Sequence, residues 1–256
     1  IGIGIEAELF PLNFWVPDLY TESPTAVSGI MSGAVSAAGI YALARIFFTL
    51  FPAQSFFNYL LYLGAITLIL GELIAYQQKN IKRMLAYSSL AQMGLIVAVI
   101  SLGTESALKA GLFQLVNHSI LKVLLFISAG VLITAAGSKN IEDLSGLGSK
   151  KKTAAFGFTI AAMGILGVPF LNGFISKFMI INSSLNADKF LLTALILLAA
   201  IIEIAYYLKV VQKLYFEDLK VEVKKTAVIT VPVVLMTLMI VGLGIYPQLI
   251  AEPLNQ

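Results

Sequence analysis

The chain has 256 residues, 59% of them apolar and only 12% charged, with a mean hydropathy of +0.91. Several apolar stretches reach the roughly 18 to 20 residues that cross a bilayer as helix, so the sequence reads as an all-α polytopic membrane protein. A formal charge of +3 is too small to suggest nucleic acid, the lack of cysteine excludes disulfides and cysteine-ligated iron–sulfur clusters in this chain, and a single histidine leaves no histidine-rich metal site. No cofactor is expected here, and any coupled redox chemistry has to sit on other subunits.

The chain opens at Ile1 inside an apolar run, with no charged leader or cleavage pattern, as though begun partway through a helix. This partial helix ends at Pro11, and residues 1–24 finish with the linker PLNFWVPDLYTESP, whose three prolines cannot continue a regular helix. Seven full spans are expected at 25–51, 55–77, 84–103, 106–137, 153–183, 188–216 and 226–247, joined by short loops that make neighbours antiparallel. The organisation is then a lone helix at 25–51, a five-helix unit at 55–216, and a last loop, span and tail at 217–256. Lysine and arginine collect on the cytoplasmic side of membranes. Ten of them (Lys79, Lys82, Arg83, Lys139, Lys150, Lys151, Lys152, Lys220, Lys224, Lys225) fall at one set of helix ends and two (Lys109, Lys189) at the other. The loops 78–83, 138–152 and 217–225, with the proline-rich linker, are therefore assigned to the cytoplasmic face of the cell inner or plasma membrane, and the C-terminal tail to the outside.

Within the span 106–137, Gln114, His118 and Lys122 recur every four residues, with Asn117 beside them. On a helix that spacing stacks the three along one face over about two turns, a geometry along which a proton can be passed. A charge at bilayer depth costs about 2.5 to 3.5 kcal/mol on insertion scales, so such residues face the bundle interior and mark ion pathways; the alternative is a polar patch joining two helices. In the span 153–183, Pro169 lies near mid-membrane among Gly164, Gly167 and Gly173, which predicts a helix broken at its centre, with Lys177 two turns beyond. Glu203, deep in its own span, is the carboxylate available to Lys177, either as a permanent partner or as one whose movement loads and unloads a proton. Glu6 and Glu8 lie in the opening segment, Arg45 can snorkel to its helix end, Glu72 reads as a companion of the basic loop two turns away, and Tyr206, Tyr207, Lys209 and Lys213 read as interfacial anchors.

Several ordered motifs resemble one family. Pro11 to Tyr20 with Pro24 is similar to PLHxWLPDAYxxAP; Ser28, Gly33, Gly39, Tyr41 and Arg45 fit SxxxxGxxxKxGxYxxxR; Gln78 to Ser89, QKNIKRMLAYSS, resembles QTDIKRLLAYSS. Gln114 to Lys122 fits HLxNHAxxK, and Gly173 to Phe178 fits GFxxKF. The chain thus resembles the antiporter-like, proton-translocating subunits shared by respiratory NADH:quinone oxidoreductase, Mrp-type sodium/proton antiporters and membrane-bound hydrogenases. The resemblance covers the C-terminal half of such subunits: the second of two inverted five-helix repeats and the tail of the first. It implies an ion-translocating subunit of a multisubunit membrane complex that includes antiporter-like paralogues and a redox module on separate subunits, with a hydrogenase or NADH- or ferredoxin-linked reductase as the expected setting. It also implies a proton pathway through Glu6, Lys82, Gln114, His118, Lys122, Lys177 and Glu203.

Departures from the family pattern narrow that implication. Glu6 and Ala37 stand where the family has lysines, Gln114 replaces the upper histidine, and Asn80 replaces an aspartate. Two readings follow: a half-channel that relays protons along His118, Lys122 and Lys177, with Glu6 pairing to Lys122 or to a lysine of a partner, or a non-conducting half-size scaffold that bridges neighbouring membrane subunits.

Overall fold

The computed structural model describes residues 2–50, 54–226 and 230–252, leaving Ile1 of the opening partial helix, residues 51–53, residues 227–229 of the last expected span and residues 253–256 of the tail outside the description. Those residues form α1 (Gly2–Glu6), α2 (Val16–Glu22), α3 (Thr25–Ile30), a π-helical turn (Met31–Val35) leading into α4 (Ser36–Leu50), α5 (Gln54–Gln77), α6 (Ile81–Ile100), α7 (Glu105–Ala136), a 3-10 turn (Ile141–Leu144), α8 (Leu147–Lys150), α9 (Lys152–Leu166), α10 (Asn172–Asn186), α11 (Phe190–Phe216), α12 (Thr230–Ile245) and α13 (Gln248–Ala251). Among the described residues five stretches are long and apolar enough to span a membrane: Thr25–Leu50, Phe56–Gln77, Ile81–Ile100, Glu105–Ala136 and Phe190–Phe216. α9 and α12 are apolar but shorter.

Among the boundaries that differ from the sequence expectation, two have a clear local reason. The proline-rich linker contains a helix, α2, because Pro17 falls in its first turn, where a missing N–H has no intrahelical partner to lose. α6 begins at Ile81 rather than residue 84, because the Asn80 side chain caps it, accepting from the backbone N–H groups of Lys82 (2.9 Å) and Arg83 (3.3 Å). Lys82 and Arg83 thus belong to a helical turn and not to a loop.

The region 153–183 divides as Pro169 predicts. α9 ends at Gly167, whose φ of +80° suits the left-handed cap; its N–H donates to the Gly164 carbonyl at 3.0 Å. α10 restarts at Asn172 and lies so close that a Cβ on Gly173 would overlap the Gly164 carbonyl oxygen. Each half-helix has 15 residues, about 22 Å of rise, too short to cross the hydrocarbon core by itself.

α6 and α7 hold the centre. α5 packs on α6 at backbone distance: a Cβ on Gly64 would lie 2.6 Å from the Ala98 nitrogen, and one on Gly71 2.8 Å from the Ala91 nitrogen, so small residues set this approach. α6 is covered on nearly every side, and α7 contacts α3, α6, α9, α10 and α12. At one end of the bundle the three basic loops meet. Ile81 N–H donates to the Lys139 carbonyl (2.9 Å), Ile141 N–H to that of Lys79 (2.8 Å), Gly146 N–H to that of Lys213 (3.0 Å) and Lys224 N–H to that of Ala135 (2.9 Å). α2 joins them through the ion pairs Arg83–Asp18 and Lys139–Glu22, both 3.4 Å.

Candidate ion pathway

The α7 face expected from its spacing points inward: Gln114, Asn117, His118 and Lys122 are all buried. What meets it comes mainly from α6, where Leu85, Ser88, Ser89 and Gln92 share one face at helical spacing. Lys122 Nζ donates to the Leu85 carbonyl (3.1 Å), the Ser88 hydroxyl (2.9 Å) and the Tyr207 hydroxyl (3.4 Å), while Ser88 and Tyr207 lie 3.0 Å from each other. One turn away, His118 Nε2 lies 3.2 Å from Ser89 Oγ, which reaches Ser32 Oγ at 2.6 Å. No carboxylate lies within ion-pair distance of Lys122 among the described residues, so three oxygen dipoles hold its ammonium.

The next turn leads to an ion pair. Ser176 Oγ donates to Gln114 Oε1 (2.5 Å), Gln114 Nε2 to Gln92 Oε1 (2.8 Å) and Gln92 Nε2 to Glu203 Oε1 (2.9 Å). The other Glu203 oxygen takes Lys177 Nζ at 2.5 Å, with side chains 1% and 14% exposed. The restart of the broken helix is tied into the same network. Asn117 Nδ2 donates to the Asn172 carbonyl (2.9 Å) and Ser176 Oγ (3.0 Å), and Asn172 Nδ2 returns a bond to Asn117 Oδ1 (3.0 Å). The break near Pro169 therefore presents Asn172, Ser176 and Lys177 to α7 and α11.

Other charges sit differently from the sequence reading. Glu6 is exposed at the end of α1, while Glu8 is buried: the chain turns there, with Glu8 at φ +58°, and its Oε1 accepts from Tyr20 and Ser36, each at 2.5 Å. Glu72 is no companion of the basic loop. It is fully buried, in electrostatic reach of Glu203, Tyr206, Lys177 and Lys122, and its carboxylate faces the Tyr206 hydroxyl without meeting the geometry of a hydrogen bond. Tyr206 and Tyr207 are interior residues rather than interfacial anchors, because α11 turns that face toward Lys122. Lys209 stays exposed, Lys213 joins the loop ion pairs, and Arg45 is exposed near the end of α4. Lys82 is buried one turn nearer the loops than Leu85 and donates to the Ser23 carbonyl.

Sequence reasoning missed Gln92, Ser88, Ser89 and Ser176, and named Glu8, Glu72 and Tyr207 without placing them in this network. Ser88, Ser89 and Gln92 carried a usable signal, polar side chains at i, i+1 and i+4 on one side of an otherwise largely apolar helix, whereas the Leu85 carbonyl carried none. Several atoms along the network are buried without a hydrogen-bond partner among the described residues: Glu8 Oε2, both Glu72 oxygens, His118 Nδ1 and the Tyr206 hydroxyl. Buried polar groups in proteins are nearly always satisfied, by protein or by ordered water. Outside the spans, the loop carboxylates behave oppositely. Lys213, then Ser145 and Lys220, hold the Glu217 carboxyl down to about 2, and Lys213 likewise lowers that of Glu142.

Known proteins match over this same framework. Residues 1–203 fit the family described as NADH:quinone oxidoreductase/Mrp antiporter, TM. The chain is 34% identical over 222 residues to "NADH-quinone oxidoreductase subunit N 1" of Solibacter usitatus, covering 85% of this chain and 46% of that protein. It superposes with a TM-score of 0.93 and 34% identity on a chain of the membrane-bound sulfane sulfur reductase, an archaeal respiratory membrane complex, covering 99% of this chain and 53% of that one. For a chain of Thermus thermophilus respiratory complex I the values are 0.89 and 28%, over 98% and 54% of the two chains. The chain thus spans about half the length of the relatives it matches. It is a multi-pass, all-α membrane protein and belongs to the NADH:quinone oxidoreductase/Mrp antiporter transmembrane family.

Proposed function

We propose that this chain carries one half-channel of an antiporter-like, proton-translocating subunit in a multisubunit membrane complex. The observation that carries the proposal is the polar line from Lys122 and His118 through Gln114 and Gln92 to the Lys177–Glu203 pair, inside helices otherwise packed with apolar side chains. Lysine, histidine and glutamate exchange protons; the amides of Gln92 and Gln114 do not do so readily and serve to hold Glu203 in register with α7. Moving Glu203 off Lys177 breaks the one close ion pair on the line and opens the contact between α10 and α11. Water drawn to His118 Nδ1 and Glu72 supplies the links where side chains do not touch.

The relatives belong to NADH-quinone oxidoreductase, to respiratory complex I and to a sulfane sulfur reductase. By extension, this chain works beside other membrane subunits, with redox chemistry on separate subunits driving the protons. The sulfane sulfur reductase, an archaeal respiratory complex, is a better-supported setting than a hydrogenase.

The test is Lys122→Ala in the assembled complex, measured as proton uptake into vesicles per turnover. The expected result is loss of uptake with assembly intact. Full uptake in an intact complex overturns the proposal and leaves the scaffold reading.

A further inference from the structure

A cavity of about 390 Å³ opens at the loop end of the bundle, where α7, the start of α9 and the start of α12 come together. Lys150, Lys151 and Lys152 line it, and Val131 and Val233, both buried, form its apolar floor. None of the three lysines has an acidic partner among the described residues, whereas Lys139, Lys213 and Lys220 at the same end all do. Lys151 Nζ instead reaches the Thr226 hydroxyl at 3.0 Å, which leaves its charge uncompensated. A second crevice continues from this cavity: it shares Val131 and Thr226 and runs past Gly130 and Ile127. Residues 131, 130 and 127 descend α7 from its loop end toward mid-membrane, so a basic pocket at the membrane surface passes into a groove of apolar and small residues directed inward.

We infer that this is a binding site for an anionic phospholipid, with the phosphate among Lys150, Lys151 and Lys152 and an acyl chain along the α7 groove. Basic pockets between transmembrane helices on the cytoplasmic side suit such headgroups. Positive charge on this side also orients the helices, but orientation needs neither a cavity nor an apolar continuation. The same lysines would hold a soluble phosphate ester, and the groove distinguishes the two by giving the acyl chain a place.

The experiment is native mass spectrometry of the purified, delipidated complex containing the full-length protein. It is titrated with phosphatidylglycerol, phosphatidylcholine or glycerol 3-phosphate. The expected preference for phosphatidylglycerol over phosphatidylcholine is about tenfold or more, because three lysines meet a net negative headgroup in the first, whereas the choline ammonium cancels the phosphate charge in the second and is repelled by the lysines. It should vanish in the triple variant Lys150→Gln, Lys151→Gln, Lys152→Gln. Thr230→Trp, which fills the cavity and keeps every lysine, should also remove it, so altered membrane orientation does not mimic the result. Equal binding of the two lipids by the unaltered protein overturns the inference, as does a preference that survives both variants. Glycerol 3-phosphate binding as tightly as phosphatidylglycerol makes the site one for soluble phosphates. Loss of a neighbouring subunit from the triple variant, with lipid preference intact, makes it a protein contact.

Discussion

The two charged regions of this molecule are built on opposite rules. At the loop end Glu142, Glu217, Lys213 and Lys220 pair with one another, the Glu142 and Lys220 side chains 50% and 48% exposed, that of Glu217 31% and that of Lys213 11%. In the interior, Lys122 donates only to neutral oxygens, with Glu203, Glu72 and Glu8 in electrostatic reach but not in contact; Glu8 accepts only from hydroxyls and Glu72 makes no hydrogen bond, while Lys177 and Glu203 form the one close pair among the described interior charges. Exposed pairs form at little cost and contribute little. Buried charges are expensive, and replacing them with apolar residues is often neutral or stabilising, so stability gives no reason to keep them. The difference fits a loop network that holds loops together and supports the proposal that the interior network moves charge.

The sharpest way to break that comparison is Glu203→Leu. It leaves Lys177 buried without a counter-charge and frees the amide of Gln92, with an expected loss of about 3 to 5 kcal/mol in a denaturation titration of the solubilised protein. Unchanged stability would mean that the pair is not formed. Ser88→Ala removes the hydroxyl that joins Lys122 to Tyr207, and should cost about 1 to 3 kcal/mol in the same titration and slow proton uptake without abolishing it. Glu217→Gln should leave proton uptake unchanged and reduce thermal stability slightly, by an amount that shrinks with added salt. Its pH dependence has a definite sign. The folded carboxyl is held at about 2 against an ordinary value of 4.5, so its contribution is complete above 4.5 and is lost as the pH falls toward 2. The variant should flatten an acid titration of stability in that window.

Much of this fold was legible in the sequence because membrane helices must satisfy their backbones internally and bury their charges, which ties hydropathy, loop charge and Pro169 directly to structure. The inward face of Gln114, His118 and Lys122 followed from spacing alone, and the Lys177–Glu203 pair from depth and opposite charge. The misplaced residues share a cause. Glu72, Tyr206 and Tyr207 were assigned by distance from a loop, yet what buries them is which neighbouring helix covers their side of α5 or α11, and one sequence does not contain that. Glu6 and Glu8 exchanged roles because α1 stops and the chain turns between them, so helical spacing no longer said which one faces inward. Lys82 was read as a loop charge because the Asn80 cap, which starts α6 three residues early, was not recognised.

The measurement that bears most directly on the central claim separates transport from packing at the Lys177–Glu203 pair. The double variant Lys177→Met, Glu203→Leu exchanges the buried pair for apolar side chains and should retain stability close to that of the unaltered protein. In vesicles containing the assembled complex, proton uptake per turnover should then be lost although the fold is kept. Full uptake by a stable, assembled double variant would contradict the account and return the interior charges to a structural role.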